Sequence, residues 1–478
     1  MTFLEGVDTP KFQKLMRRIF LVASCLILYS LLLVANGNYN WYVPPIYVLI
    51  TGSTHRILLG LCFTLDFCML VFAFCCMDIA SWIYVILCFV PFEFTKPFLS
   101  MPSLTPLDYI CTASIIATLI RFQWKQLARQ ILATFGAWGA IFWIGFWSYN
   151  VIVAFFIKST PRASLRWIGF CFCYFIAAQA AMQEIHFQKK IVTLLTILGT
   201  CVAAIGVYQF LQWHSYVRLE ALFLQHNAFA AFLSFCLPSA FIAIQFSDQR
   251  FKGVAWMCLI VILTAFILSY SRGAWVGIIL GTGVVFAFRY LSQKNITIRK
   301  RFILFLMAGL FVLGILVVEQ PAGRGFFSDS GRALYLKTGY RIFLSHPWMG
   351  LGPGRYYSQI QSYIPPEGLS LYVANADGRP SGYWSHLHNL YLQVLVDYGL
   401  IGFILWGGGF SSCIYQAWKT LSSSTRQRTS AVPYFAISII AFLVHNCVDI
   451  LTVGSFDMVF GVLLAVTAFS STIQKQSS

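Results

Sequence analysis

HNLYLQVLVDYGLIG, residues 388–402, stands where the polar segment 319–387 gives way to a long apolar run. Lipid offers an imidazole no hydrogen-bond partner, so a histidine at a water–lipid boundary is read as chemistry before it is read as packing. Runs of the same apolar character recur along the whole chain, each near the length of about 20 residues that crosses a bilayer as a helix. They fall near 19–35, 57–76, 79–95, 106–121, 132–157, 165–183, 191–211, 222–245, 253–270, 273–289, 302–318, 389–417, 432–450 and 453–471. The reading is an all-α, polytopic membrane helical bundle of 12–14 spans with one large folded loop. Along the chain it divides into a cytoplasmic segment 1–18, a first part of the bundle 19–318, the loop 319–387, the last spans 388–471 and a cytoplasmic tail 472–478.

Composition agrees. Of 478 residues, 59% are hydrophobic and 10% charged, against about 25% charged in a soluble domain. The net charge of +17 would suggest nucleic acid in a soluble protein. Here the basic residues cluster in short connections between apolar runs, which is the pattern of membrane orientation and contact with membrane lipids. Nucleic acid is not expected as a partner. The 14 cysteines lie in or beside apolar runs and none falls within 319–387, which argues against a disulfide framework or a zinc site.

Lys and Arg in short loops set the orientation. Arg121, Lys125 and Arg129 mark one cytoplasmic turn, Lys189 and Lys190 another, and Arg289, Lys294, Arg299, Lys300 and Arg301 the strongest. Both termini are then cytoplasmic, and 319–387 lies outside, which is the periplasm if the cell is Gram-negative. Ser271-Arg272 falls in an outer turn and Gln225-His226-Asn227 near the outer end of a span. The outer face breaks the rule by being basic as well. Lys158, Arg162 and Arg166 have no acidic residue among them, and the long loop carries six basic residues against four acidic. An anionic ligand at the outer leaflet supplies a reason, and anionic lipid headgroups supply the plain alternative.

Within the loop, GRALYLKTGYRIFLS (331–345) reads as an amphipathic helix with Leu334, Leu336, Tyr340 and Phe343 near one side. GLGPG (350–354) lacks the spacing of a nucleotide-binding loop and reads as tight turns with glycine at positive φ. Asp66, Asp449 and Asp457 are costly intramembrane carboxylates that fit polar anchors between helices or span ends. No clustered set of His and carboxylates stands out in the outer segments, so no metal or other cofactor is expected.

Four stretches together resemble the O-antigen ligase and polymerase superfamily of membrane glycan transferases. They are LQHNAFAAFLSFCLP (224–238), LSYSRGAWVG (268–277), GRALYLKTGYRIFLSHPWMGLGPGRYYS (331–358) and HNLYLQVLVDYGLIG (388–402). The resemblance covers roughly 222–405 and implies a C-type glycosyltransferase-like bundle in the bacterial inner membrane with its active site facing the periplasm. The implied reaction moves a glycan from an undecaprenyl diphosphate carrier to an acceptor hydroxyl, without a metal and with inversion. The acceptor is lipid A-core in a ligase, a growing glycan in a polymerase, and protein in an O-oligosaccharyltransferase. The implied catalytic residues are His388, which activates the acceptor, and Arg272, which holds the diphosphate. The expected substrate-binding set is Arg332, which matches the family position best, with Arg341, Arg355 and Lys337 of the loop, Arg162 and Arg166 of the basic outer face, and Asn227 and Asn389, though Asn389 also reads as a helix cap. His386, two residues from His388, is expected to face elsewhere.

Two other classes compete. A transporter or flippase of lipid-linked sugars would explain the basic outer face, but it predicts internal repeats that the chain does not show. A cell-shape type peptidoglycan polymerase would be expected to carry an acidic catalytic residue in its large outer loop, and no carboxylate here stands in a comparable motif.

Overall fold

Lipid leaves a helix as the one open-chain solution for a lone apolar run, because every backbone polar group must then be satisfied within the segment. The computed structural model describes, with short gaps, residues 70–92, 106–157, 162–213, 219–291, 330–366, 386–424, 430–451 and 456–469. The runs expected at 19–35 and 302–318, most of 57–76, the terminal segments, Asp66 and loop residues 319–329 and 367–385 lie outside these. The helices are α1 Ile79–Phe89, α2 Pro106–Arg121, α3 Trp124–Ile157, α4 Arg162–Gln183, α5 Phe187–Trp213 and α6 His226–Phe246. They continue as α7 Lys252–Leu268, α8 Arg272–Leu291, α9 Ser330–Ser345, α10 Leu390–Ser424, α11 Val432–His445 and α12 Phe456–Phe469. No strand occurs among the described residues. The protein is an all-α membrane bundle: α3, α5, α6 and α10 are long and apolar enough to cross a membrane, and α1, α2, α7, α8, α11 and α12 are shorter apolar helices.

Helix ends overshoot the apolar runs where polar residues continue the turn. The run expected from 132 begins at Trp124, carrying Lys125 and Arg129, and the run expected to end at 417 continues to Ser424. Backbone hydrogen bonding does not stop where hydropathy does.

The chain forms two units, residues 1–130 and 131–478. In the first, α1 packs on α2, and Arg121 donates to the carbonyl of Met77 at 2.7 Å. The second contains the core. There α12 lies against α4, α10 and α11, while α11 lies against α8 and α6. Phe170, Phe410 and Phe460 stack at the centre, with ring centroids 4.7 Å apart for the first pair and 5.7 Å for Phe410–Phe460. Between lipid-embedded helices the gain is van der Waals packing, since lipid is as apolar as the helices themselves.

Small residues set how near those helices come. Gly273, Gly277 and Gly281 recur every four residues along α8 and face α11. A Cβ on Gly277 would stand 2.6 Å from the carbonyl oxygen of Ala441, and one on Gly281 would stand 2.7 Å from that of Ile437. This is the small-xxx-small seam that brings membrane helices into backbone contact.

Helix α10 breaks at Gly399 (φ 65°), and the break is filled by the loop that follows α9. Leu351 and Gly352 donate their N–H groups to the carbonyls of Val396 and Asp397 at 2.9 and 3.0 Å. In return Leu400 and Ile401 donate to Pro347 and Trp348 at 2.8 and 3.3 Å. Tyr149 of α3 adds a hydroxyl donated to Tyr398 at 2.7 Å. Four backbone bonds thus clasp the loop into a spanning helix, as irregular backbone at membrane depth requires. Gly350, Gly352 and Gly354 all have positive φ, as expected of GLGPG.

Helix α9 forms over Ser330–Ser345 as expected, but its buried side is different. Leu334, Tyr335, Thr338 and Ile342 are buried, whereas Leu336 and Tyr340 are exposed. Thr338 can be buried because its hydroxyl donates to Leu334 O of its own helix at 2.7 Å, and Gly339 lets α9 lie against Leu392. The buried side joins Leu351, Tyr356, Ile360, Ile364, Leu387 and Val396 in one cluster that binds the loop to α10.

Gly277→Ala should lower the stability of the protein in detergent by about 1–3 kcal/mol, because the methyl group has no space against backbone. Gly253→Ala, with nothing within 4 Å of its Cβ, should be neutral or stabilising. Thermal unfolding followed by circular dichroism checks both; equal midpoints would show that the seam is not tight.

Candidate active site

Three chain turns converge at one end of the second unit: the start of α10, the end of α11 and the start of α8. Asn446, fully buried, ties the first two together. Its carbonyl accepts from Leu390 N at 3.0 Å and its side-chain oxygen accepts from Leu451 N at 3.0 Å. Asn389 caps α10 by accepting from Leu392 N at 2.9 Å, and donates to the Cys447 carbonyl at 2.8 Å. These bonds hold His388 at φ 50° and expose its ring beside the α11–α12 turn. Tyr270, at φ 52°, makes the corresponding corner before Ser271 and Arg272. Left-handed backbone at non-glycine residues costs of order 1–3 kcal/mol and persists only where the surroundings enforce it.

Asp449 is the hub. Its Oδ1 stands 3.1 Å from His388 Nδ1 and accepts from Ile450 N at 2.8 Å. His386 Nε2 lies 3.5 Å from the same oxygen. Oδ2 accepts from Asn227 Nδ2 at 2.5 Å, and Asn227 Oδ1 accepts from Ser271 Oγ at 2.8 Å. With that proton committed to Asn227, Ser271 Oγ faces His445 Nε2 at 3.4 Å as an acceptor. One polar chain therefore runs from His388 through Asp449 and Asn227 to the residue beside Arg272.

The charge states follow from this wiring. Burial opposes ionisation of Asp449, but the contacts from His386 and His388 outweigh it and hold the carboxyl well below the usual carboxylate range. Burial lowers the pKa of His386, with the Asp449 contact acting against it. A carboxylate at Nδ1 fixes that nitrogen of His388 as the N–H donor, leaving Nε2 as the basic position of a neutral ring. The His388 side chain keeps 26% exposure, against 4% for Asp449. The Tyr335 ring rests against it with centroids 4.9 Å apart, and the His386 ring at 4.2 Å.

Several expectations are changed by this geometry. His386 does not face elsewhere: residues 386–389 are not helical, and both imidazoles meet one carboxylate. Asn227 is engaged with Asp449 and Ser271, and Asn389 with the α10 cap and Cys447. Arg355 donates to the carbonyl of Ile157 at 2.9 Å, closing the loop onto the end of α3. Lys337 and Arg341 are on the exposed side of α9, away from Tyr335. Arg166 of α4 acts electrostatically on His386 and on Asp397. Arg332 stands one turn before Tyr335 on α9; its side chain, like that of Arg162, lies outside the described residues.

Asp449 and His445 were not foreseen as site residues. A buried-carboxylate signal existed for Asp449 in its cost within an apolar run, but nothing local paired it with a histidine 61 positions away. The cluster His386, His388 and Asp449 offers three ligand atoms within 4.8 Å of one another, enough to hold a metal ion. This differs from the expectation that no His and carboxylate set would cluster.

Residues 257–407 match the family described as O-antigen ligase. The exopolysaccharide production protein ExoQ of Rhizobium meliloti (strain 1021) is similar along most of the chain. It is 24% identical over 363 residues, covering 70% of this chain and 78% of ExoQ. These likenesses fall on the helical membrane bundle and support a glycan transferase of the ligase and polymerase type. Asn227, His445 and Asp449 all lie outside the matched segment, so the carboxylate that meets His388 comes from beyond it.

Asp449→Asn should cut transfer by about 10²–10⁴-fold, the usual contribution of a positioned acid–base group, while preserving volume. The pH dependence has a definite sign. The folded pKa of His386 is lowered, so its contribution to stability is present above the unfolded value of about 6.5 and is lost as pH falls below it. Asp449 loses its contribution only below the ordinary carboxylate value of about 3.9. The thermal midpoint should therefore decline from pH 7 to pH 5, and His386→Gln should flatten that decline.

Proposed function

We propose that the protein transfers a glycan from an undecaprenyl diphosphate carrier to an acceptor hydroxyl, with inversion and without a metal, at the periplasmic face of the bacterial inner membrane. The observation that carries the reading is the His388–Asp449 pair, joined through Asn227 and Ser271 to the start of α8, where Arg272 stands. His388 Nε2 accepts the acceptor's proton as its oxygen attacks the anomeric carbon. The bond from that carbon to the diphosphate breaks, its electron pair stays on the diphosphate oxygen, and the resulting charge is met by Arg272 and Arg332. Asp449 keeps the ring oriented and balances the imidazolium. Arg166 adds positive potential from α4, while both termini lie in the cytoplasm.

The similarity to ExoQ, an exopolysaccharide production protein, favours polymerisation, in which the acceptor is a second carrier-linked glycan, over ligation to lipid A-core. A metal-dependent variant draws on one observation, the His386–His388–Asp449 cluster. The hydrogen bonds that Oδ1 takes from Ile450 and Oδ2 from Asn227 favour an orienting carboxylate instead.

Proteoliposomes supplied with a lipid-linked donor and either lipid A-core or a second lipid-linked glycan test this directly. His388→Ala and Arg272→Ala should each abolish transfer with insertion and expression intact. Activity should survive EDTA; loss on chelation with recovery on adding back a divalent cation would establish the metal route.

A further inference from the structure

Helix α9 covers the site with one side and exposes apolar side chains on another. Leu336, Tyr340 and Leu344 recur every four residues along it and are 50%, 59% and 58% exposed, and Trp348, four residues on, is 64% exposed. Such spacing makes a continuous stripe on one helix face. Lys337 and Arg341 are exposed beside it, and no acidic residue occurs from Ser330 to Pro366. A soluble surface rarely combines an apolar stripe of this length with charge of one sign.

The clasp determines how deep this stripe sits. Trp348 O accepts from Ile401 N, 11 residues into α10 (401 − 390), which is about 16 Å along a helix rising 1.5 Å per residue. Tyr149, whose hydroxyl lies 3.4 Å from the same carbonyl, is eight residues before the end of α3 (157 − 149). Seven residues later Arg355 is bonded to Ile157, the last residue of α3. The chain therefore enters well inside the ends of two apolar helices at Trp348 and has climbed back to a helix end at Arg355. Val151, two residues past Tyr149 on α3, is an apolar side chain 71% exposed near that depth, where a spanning helix faces lipid.

We propose that α9 is an interfacial helix seated in the bilayer leaflet on the site side. Leu336, Tyr340, Leu344 and Trp348 enter the acyl boundary, and Lys337 and Arg341 bind the headgroups of anionic phospholipid. An amphipathic helix with cations flanking its apolar face is built for this position, and each cation near an anionic surface contributes on its own. The opposite side of α9 presents Tyr335 to His388, so the lipid contact steadies one wall of the site. The inference rests on the bundle spanning a membrane and is independent of the transfer chemistry.

The test uses the full chain in nanodiscs of phosphatidylcholine, with or without phosphatidylglycerol. The fluorescence of Trp348 is taken as wild type minus Trp348→Phe. Brominated acyl chains should quench it, and aqueous iodide should not. Quenching by iodide alone, or by neither agent because a protein partner or second copy covers the stripe, overturns the proposal. Amide hydrogen exchange across 330–345 should slow several-fold when phosphatidylglycerol is added, and Lys337→Glu with Arg341→Glu should erase that difference. Equal exchange of the wild type in the two bilayers overturns the headgroup contact. If the charge-reversed protein fails to insert, the neutral pair Lys337→Gln and Arg341→Gln makes the same comparison.

Discussion

A carboxylate with 4% of its surface exposed, Asp449, needs partners for both oxygens or it must lose its charge. That requirement organises the site. One oxygen draws the histidines before α10 and the backbone of Ile450, and the other draws Asn227 from the start of α6. Because Asn227 is itself held by Ser271, the buried charge is satisfied only when three separate turns of the chain are brought to the one that carries Asp449. The same contacts that make its burial tolerable fix the tautomer of His388, so stability and proton chemistry share one set of bonds.

Two backbone features bring those turns within reach. The glycine seam of α8 removes side chains between it and α11, which sets the corner at Ser271 against His445 at a distance that longer side chains would prevent. The break at Gly399 does the opposite for α10: it opens a helix so that the loop after α9 can bond into it. Without the hydrophobic effect to drive helix association inside lipid, such close backbone approach and exchanged hydrogen bonds carry the specificity of the assembly. Loop and bundle are thereby one structure, and the loop delivers Tyr335 to the histidine.

The segment that matches the O-antigen ligase family, 257–407, holds Arg272, α9 and His388, while Asp449, Asn227 and His445 lie on either side of it. A separable catalytic segment would leave His388 without Asp449. The basic character of the loop also divides by face. Arg355 closes it on α3, Lys337 and Arg341 look outward, and Arg332 stands a turn from Tyr335. Cations that look alike along the chain thus do different work.

The sequence by itself determined the class of fold, since apolar runs of bilayer length admit one backbone solution, and α2, α8 and α9 fall within a residue or two of their runs. It also offered His388 and Arg272 as candidates, the first from its place at a water–lipid boundary and the second from the family resemblance. It misjudged what lies between elements. His386 was assigned a helical direction, although the strained corner at His388 turns it onto Asp449. Leu336 and Tyr340 were grouped with Leu334 on one side of α9, because hydropathy alone does not say which apolar side chains the fold will cover. Only the tertiary structure decided that Asp449, Asn227, Ser271 and His445 meet. Hydrogen bonds between residues tens to hundreds of positions apart leave no local period in the chain; they exist because helix packing brings the partners to one point.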